Sequence, residues 1–222
     1  MGNKSALVIG ATGLVGKELT KKLLSLDDYS EIRIISRNPT GFNDFRLKET
    51  LVDFNNLSDV KDKFDVDDVF CCIGTTMKKA GTEERFVQID YEYPIQIAKY
   101  ALESGRLKKF LIVTAVGANP ESSIFYNQVK GELERDLQTL QLPGLYIFRP
   151  SLLLGERKEF RFWESVGKTF SAFLSFFLIG AEKKVWAIQS DQVAAAMVQI
   201  AQSGAEGVYF YEPSKIRFLA RT

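Results

Sequence analysis

Ala6-Leu7-Val8-Ile9 runs directly into Gly10-Ala11-Thr12-Gly13-Leu14-Val15-Gly16, after which Val15, Leu19, Leu23 and Leu26 fall at helical spacing. The order is strand, glycine turn, helix. Glycine at the first, fourth and seventh places of the turn permits a tight bend, close approach of backbone to a ligand, and close packing of helix on strand. The start of such a helix offers free N–H groups and the positive end of the helix dipole, and both favour a pyrophosphate. Glycine-rich turns occur in loops of every kind. Set between this strand and this helix, Gly10, Gly13 and Gly16 point to a dinucleotide site.

Outward from the turn, short apolar runs alternate with helical patterns. Ile32-Arg33-Ile34-Ile35 reads as a second strand, Leu47 to Phe54 as a third and Val69 to Ile73 as a fourth. A helix over Tyr91 to Ser104 leads to a fifth strand, Leu111-Ile112-Val113. A long helix from Phe125 to Leu140 then carries apolar residues at Phe125, Val129, Leu133, Leu137 and Leu140, and Leu145 to Phe148 makes a sixth strand. Strands joined by crossover helices build a parallel sheet covered on both faces. The expected fold is therefore α/β, a Rossmann-type doubly wound parallel sheet forming a single domain over 1–222.

Past Pro150 the rhythm changes, and residues 151–222 read as a small C-terminal substrate lobe. Gly155 to Phe162 is charged and loop-like, and Phe162 to Leu178 places its apolar residues at helical spacing. That Phe-rich stripe is expected to bury one face and to line an apolar substrate pocket. Ser190-Asp191 can cap a further helix that Gly204 stops, and Val208 to Tyr211 reads as a last strand.

Composition narrows the chemistry. A chain of 222 residues that is 45% hydrophobic can bury one large core, and its net charge of +1 gives no global field for nucleic acid. Cys71 and Cys72 are neighbours in a strand, so they face opposite ways; a disulfide between them is not expected and a reducing compartment fits. Phe170 to Gly180 is too short to span a bilayer, and Ala6 to Val15 is broken by glycine. The expectation is a soluble cytoplasmic protein, monomer or homodimer, without membrane contact. There is no histidine. The commonest metal ligand and general base are thus missing, no metal site is expected, and acid–base work falls to Tyr, Lys, Asp or Glu.

Strand two selects the dinucleotide. Sites for NAD usually end this strand with a carboxylate on the ribose hydroxyls; here it ends Ser36-Arg37, which suits a 2′-phosphate. Asp53, after strand three, can meet an adenine amine or cap the next helix. Tyr126-Asn127-Gln128-Val129-Lys130 is the catalytic candidate, because i and i+4 share a helix face and an ammonium beside a phenol favours the phenolate. Tyr211-Glu212-Pro213-Ser214-Lys215 has the same spacing, but its proline forbids the helical geometry. Thr114, at the end of strand five, is the hydroxyl expected to polarise a substrate.

These motifs resemble the atypical branch of the short-chain dehydrogenases/reductases. The resemblance rests on Gly10-Ala11-Thr12-Gly13-x-x-Gly16 and on Phe70-Cys71-Cys72-Ile73-Gly74-Thr75-Thr76 with Lys79-Ala80-Gly81. It is extended by Tyr126-x-x-Val129-Lys130-Gly131-Glu132 and Phe148-Arg149-Pro150 with Leu153-Leu154. It implies an NADP(H)-dependent oxidoreductase acting on a small carbonyl or alcohol, with a non-catalytic NADP(H)-binding regulator as the alternative. It also implies cofactor contacts from Thr12, Gly13, Leu14 and Val15, with Arg37 on the 2′-phosphate and Ile73 and Gly74 along the nicotinamide ribose. Tyr126 would donate the proton, Lys130 would hold that ribose, and Leu153 and Arg161 would close over the far end. Family members often carry two serines where this chain has Thr114-Ala115, and a second Arg where it has Asn38.

Overall fold

The computed structural model describes residues 2–154, 187–203 and 206–221. Strand β1 (Lys4–Ile9) leads through the glycine turn into α1 (Leu14–Leu24), then β2 (Tyr29–Ser36) and β3 (Leu47–Leu51). A run of 3-10 turns (Phe54–Phe64) precedes β4 (Asp68–Cys71), and two short helices follow, α2 (Met77–Ala80) and α3 (Glu83–Val87). A π-helical turn (Gln88–Glu92) opens α4 (Tyr93–Glu103); β5 (Lys109–Val113), α5 (Phe125–Thr139) and β6 (Gly144–Phe148) come next. The remaining described elements are β7 (Leu152–Leu154), β8 (Ala187–Gln189), α6 (Ser190–Ser203), β9 (Gly207–Tyr211) and α7 (Pro213–Leu219).

Seven strands form one sheet in the order β3-β2-β1-β4-β5-β6-β9, every neighbouring pair parallel. From β1 the chain moves outward to β2 and β3, then returns to build β4 on the other side. That reversal makes a crevice beyond the carboxyl ends of β1 and β4, where Ile9 pairs with Cys71. Burial on both faces explains why β1 reads as a continuous apolar run. Ala6 and Val8 join a core with Val15, Leu19 and Leu23 of α1 and Val193 and Met197 of α6; Leu7 and Ile9 join another with Ile97 of α4 and Leu133 and Leu137 of α5.

The doubly wound parallel sheet stands as expected, and the departures are local. Strand β3 stops at Leu51 rather than Phe54, because Asp53 caps the following turns by accepting a hydrogen bond from the Asn55 N–H at 2.9 Å. The proline that breaks the Tyr211 to Lys215 spacing instead starts α7, where its missing N–H costs nothing, and Tyr211 stays on β9. Much of the segment read as a substrate lobe lies in the main layers: β9 is the seventh strand and α6 packs beside α1. Arg161, the Phe162 to Leu178 stripe and Gly204 lie outside the described residues.

The glycine turn is a packing requirement before it is a binding site. Gly10 has φ +88°, and a Cβ there would stand 2.5 Å from the Cys72 carbonyl oxygen; one on Gly16 would stand 2.1 Å from that of Gly10. Both obstacles are backbone and cannot rotate away. Gly16→Ala is therefore expected to lever α1 off β1 and cost about 3 kcal/mol, the upper end of overpacking penalties. Urea unfolding measures this, and an unchanged midpoint would refute the close-approach argument.

Candidate active site at the sheet's switch point

The crevice begins with the N-terminus of α1. Gly13 caps the helix with no side-chain bond, its own N–H donating to the Gly10 carbonyl at 2.9 Å. The helix ladder starts at the Lys17 N–H on the Gly13 carbonyl, 3.0 Å away, so the helix N–H groups before it have no partner among the described residues. Thr12 and Gly13 are exposed, Leu14 is half-buried, and no acidic residue occupies the first turn. A Cβ on Gly13 would meet only the Gly10 carbonyl, at 3.3 Å, so bare backbone faces the crevice. Helix dipole, free donors and missing side chains fit a pyrophosphate.

At the end of β2, Ser36 and Arg37 do different things. Ser36 is buried and its Oγ donates to the Asn38 carbonyl at 2.8 Å, so it holds the turn instead of facing a ligand. This corrects its expected part in the 2′-phosphate site. Arg37 is exposed and has no hydrogen-bond or ion-pair partner among the described residues. Asp53 uses one carboxylate oxygen as a cap. Ile73 is half-buried and Gly74 exposed just past β4, and Leu153 of β7 packs, half-buried, on the α1 side of the sheet.

Tyr126 and Lys130 open α5 one turn apart, as their spacing requires. Gly131 makes this start possible, since a Cβ there would lie 2.2 Å from the Asn119 carbonyl carbon and the Pro120 nitrogen. The half-buried Tyr126 ring packs on Phe86, with centroids 5.5 Å apart. Lys130 does not stand alone. Its Nζ is 2.7 Å from Asp90 Oδ1, with 4% and 1% of the two side chains exposed. Asp90 Oδ2 accepts the Thr75 N–H at 2.8 Å, and a Cβ on Gly74 would approach Asp90 Oδ1 to 3.3 Å.

That carboxylate changes the electrostatics expected of the pair. Burial is the largest influence on the Tyr126 phenol and pushes it up; Lys130 pulls it down, Asp90 pushes it up again, and the net shift is upward. Lys130 thus favours the phenolate as its spacing implies, but burial outweighs it. Burial opposes the Lys130 ammonium, but Asp90 and then Tyr126 outweigh it and hold it above its ordinary value. Asp90 escaped sequence reading because its partner is on another helix. The available signal was chemical: a lysine on the inward side of a helix needs a carboxylate.

Thr114 serves a separate cluster. Its Oγ1 donates to Glu134 Oε1 at 2.5 Å, and both residues are buried. Arg149 grips the same carboxylate, Nη2 to Oε2 at 2.5 Å, and reaches Glu212 Oε1 with Nη1 at 2.9 Å. The cluster clamps α5 to the ends of β5, β6 and β9. The proton expected to polarise a substrate is committed to Glu134, which corrects that role for Thr114. Burial pushes the Cys71 thiol up to about 12 and raises Cys72 as well, and both cysteines are free. These are packing residues.

The comparisons with known proteins bear on the family and the fold. The family model HIM1 matches residues 34–180. Protein HTATIP2 of Rattus norvegicus is 37% identical over 174 residues, covering 77% of this chain and 71% of that protein. Protein FMP52-1, mitochondrial, of Scheffersomyces stipitis is 35% identical over 158 residues, covering 69% of each. Among solved structures, an oxidoreductase of the short-chain dehydrogenase/reductase family from Burkholderia thailandensis superposes with a TM-score of 0.68 at 15% identity, covering 97% of this chain and 93% of that one. MoeE5 in complex with UDP-glucose and NAD gives 0.68 at 15% identity, covering 93% and 74%. Likeness at that identity concerns the fold.

The fungal names overturn the cytoplasmic expectation, since several of these relatives are named mitochondrial proteins. Free thiols are common to every reducing compartment and never singled out the cytoplasm. Among the described residues no helix is long and apolar enough to cross a membrane. On the family match and the identity to HTATIP2, the chain belongs to the HIM1 family.

Proposed function

We propose that this chain binds NADP(H) across the switch-point crevice and reduces a small, apolar carbonyl compound, with Tyr126 as proton donor. One observation carries the reading: the phosphate cradle and the Tyr126–Lys130 helix are joined by unbroken contacts. Gly10 lies against Cys72, the chain from Cys72 runs to Thr75, Thr75 bonds Asp90, and Asp90 pairs with Lys130. A dinucleotide laid on α1 would therefore reach the phenol along the residues that hold it. The NAD in the MoeE5 structure, on the same fold, supports this class of cofactor.

A bound reduced nicotinamide supplies the hydride. Lys130 would hold the adjoining ribose, with Ile73 and Gly74 beside it. Tyr126 gives its phenolic proton to the carbonyl oxygen. Leu153 would stand at the far end of the cofactor. The second reading is an NADP(H)-binding regulator without turnover, and the commitment of Thr114 to Glu134 favours it. A screen of carbonyl compounds for NADPH oxidation, beside Tyr126→Phe, separates the two.

Arg37 is the residue for the 2′-phosphate, because its guanidinium is exposed and free of described partners where an NAD site carries a carboxylate. Charge-assisted contacts are worth about 1.5–3 kcal/mol, so Arg37→Ala is expected to weaken NADPH binding about tenfold or more while NADH binding holds. Nicotinamide fluorescence titration measures both. Equal losses for the two dinucleotides would remove Arg37 from the phosphate site.

A further inference from the structure

We infer that Asp90 is a positioning residue that neutralises Lys130 and so keeps Tyr126 a proton donor, biasing the site toward carbonyl reduction over alcohol oxidation. This inference rests on the nicotinamide-dependent reading above and specifies its direction. The geometry behind it is a closed ion pair. Asp90 Oδ1 and Lys130 Nζ are 2.7 Å apart and almost wholly removed from solvent, and the other carboxylate oxygen is occupied by the Thr75 N–H. A cation held this way presents little net charge to a third group on its own helix.

Among the described residues, Lys130 is the cation that acts on Tyr126. On α5 the neighbouring charge is Lys130; the π-helical turn contributes Asp90; β4 contributes the neutral thiol of Cys71; and α3 contributes the Phe86 ring. Arg85 of α3 is engaged with Gln88 and Tyr93. The end of β5 offers Thr114, whose hydroxyl donates to Glu134. Burial is the largest cause of the phenol's upward shift, and Asp90 adds to it while Lys130 opposes it.

The direction of reaction follows from proton balance. In reduction the carbonyl carbon receives hydride, the carbonyl oxygen receives the Tyr126 proton, and the phenolate left behind regains a proton from water. Oxidation runs the same atoms backwards and must begin from the phenolate. A site whose phenol stays protonated through neutral pH starts in the form that reduction needs. Oxidation is expected only at alkaline pH.

The test uses the free protein, without cofactor or substrate. Tyrosinate absorbance is followed with pH, and the curve of Tyr126→Phe is subtracted to isolate Tyr126. In the wild type Tyr126 is expected to remain a phenol beyond pH 9, and a phenolate already formed below pH 8 overturns the inference. Asp90→Asn keeps an acceptor for Thr75 and removes the charge, so the midpoint is expected to fall by about one to three pH units. Asp90→Glu should restore a high midpoint. An unchanged midpoint in Asp90→Asn, or the same fall in Asp90→Glu, shows that charge is not the agent and overturns the inference. The wild-type curve less that of Tyr126→Phe decides even where an Asp90 variant fails to fold. Failure here leaves the Tyr126 proton-donor reading standing, whereas that reading falls separately if Tyr126→Phe reduces a carbonyl at full rate.

Discussion

Tyr126→Phe is expected to fold, keep its dinucleotide and lose about 10²–10⁴-fold in turnover, the range that a positioned general acid supplies. The substitution removes one oxygen and keeps the ring, so the contact with Phe86 survives and stability should change little. Binding should also survive, because the proposed phosphate cradle is backbone at Gly10 to Gly13 and the proposed ribose contact is Lys130. What disappears is the proton. The chain has no histidine to substitute for it. Cys71 stays a thiol until far above neutrality, and the Thr114 hydroxyl is bound to Glu134. The measurement is NADPH oxidation against a carbonyl found by screening, with dinucleotide affinity recorded on the same preparations. Wild-type turnover in Tyr126→Phe would move the active site elsewhere.

How much of this was legible from the residues depends on the distance over which each feature is decided. The glycine turn, the strand order up to β6 and the start of α5 are local or periodic. Gly10 and Gly16 announce their backbone approaches, and Val129, Leu133 and Leu137 announce the buried face of α5. Short helices are harder. α2 and α3 span about one turn each and are defined by caps, Thr76 accepting from the Lys79 N–H and Thr82 from the Arg85 N–H. One turn contains no hydrophobic period to read.

Polar side chains were the least legible, because one residue type serves several ends. Ser36 stands where a phosphate ligand belongs, yet its hydroxyl closes its own turn. Thr114 ends the expected strand and points its proton at Glu134 because Arg149 holds that carboxylate beside it. Asp90 sits among Ile89, Tyr91 and Glu92 with nothing local to mark it. Only the fold brings the π-helical turn against α5 and turns an ordinary aspartate into the counter-ion of Lys130.

That counter-ion makes Lys130→Met the most damaging single change expected for stability. Methionine is one atom shorter and fills most of the space, so no large cavity opens, but Asp90 is left 1% exposed with the Thr75 N–H and no cation. Breaking a buried pair from one side costs about 3–5 kcal/mol, since the surviving charge keeps its desolvation penalty. For a domain of this size each kcal/mol lowers the melting temperature by about 2–4 °C, so a fall on the order of 10 °C is expected. Lys130→Met with Asp90→Asn should recover most of that loss, because exchanging both members of a buried pair for neutral groups is often close to neutral. Turnover should not recover with it, since neither neutral side chain can hold the nicotinamide ribose as an ammonium does. Thermal unfolding and NADPH oxidation of the two variants therefore separate the two roles of Lys130. A single variant as stable as the wild type would mean that the 2.7 Å pair contributes nothing to the fold. A double variant that regained full turnover would place Lys130 outside the chemistry.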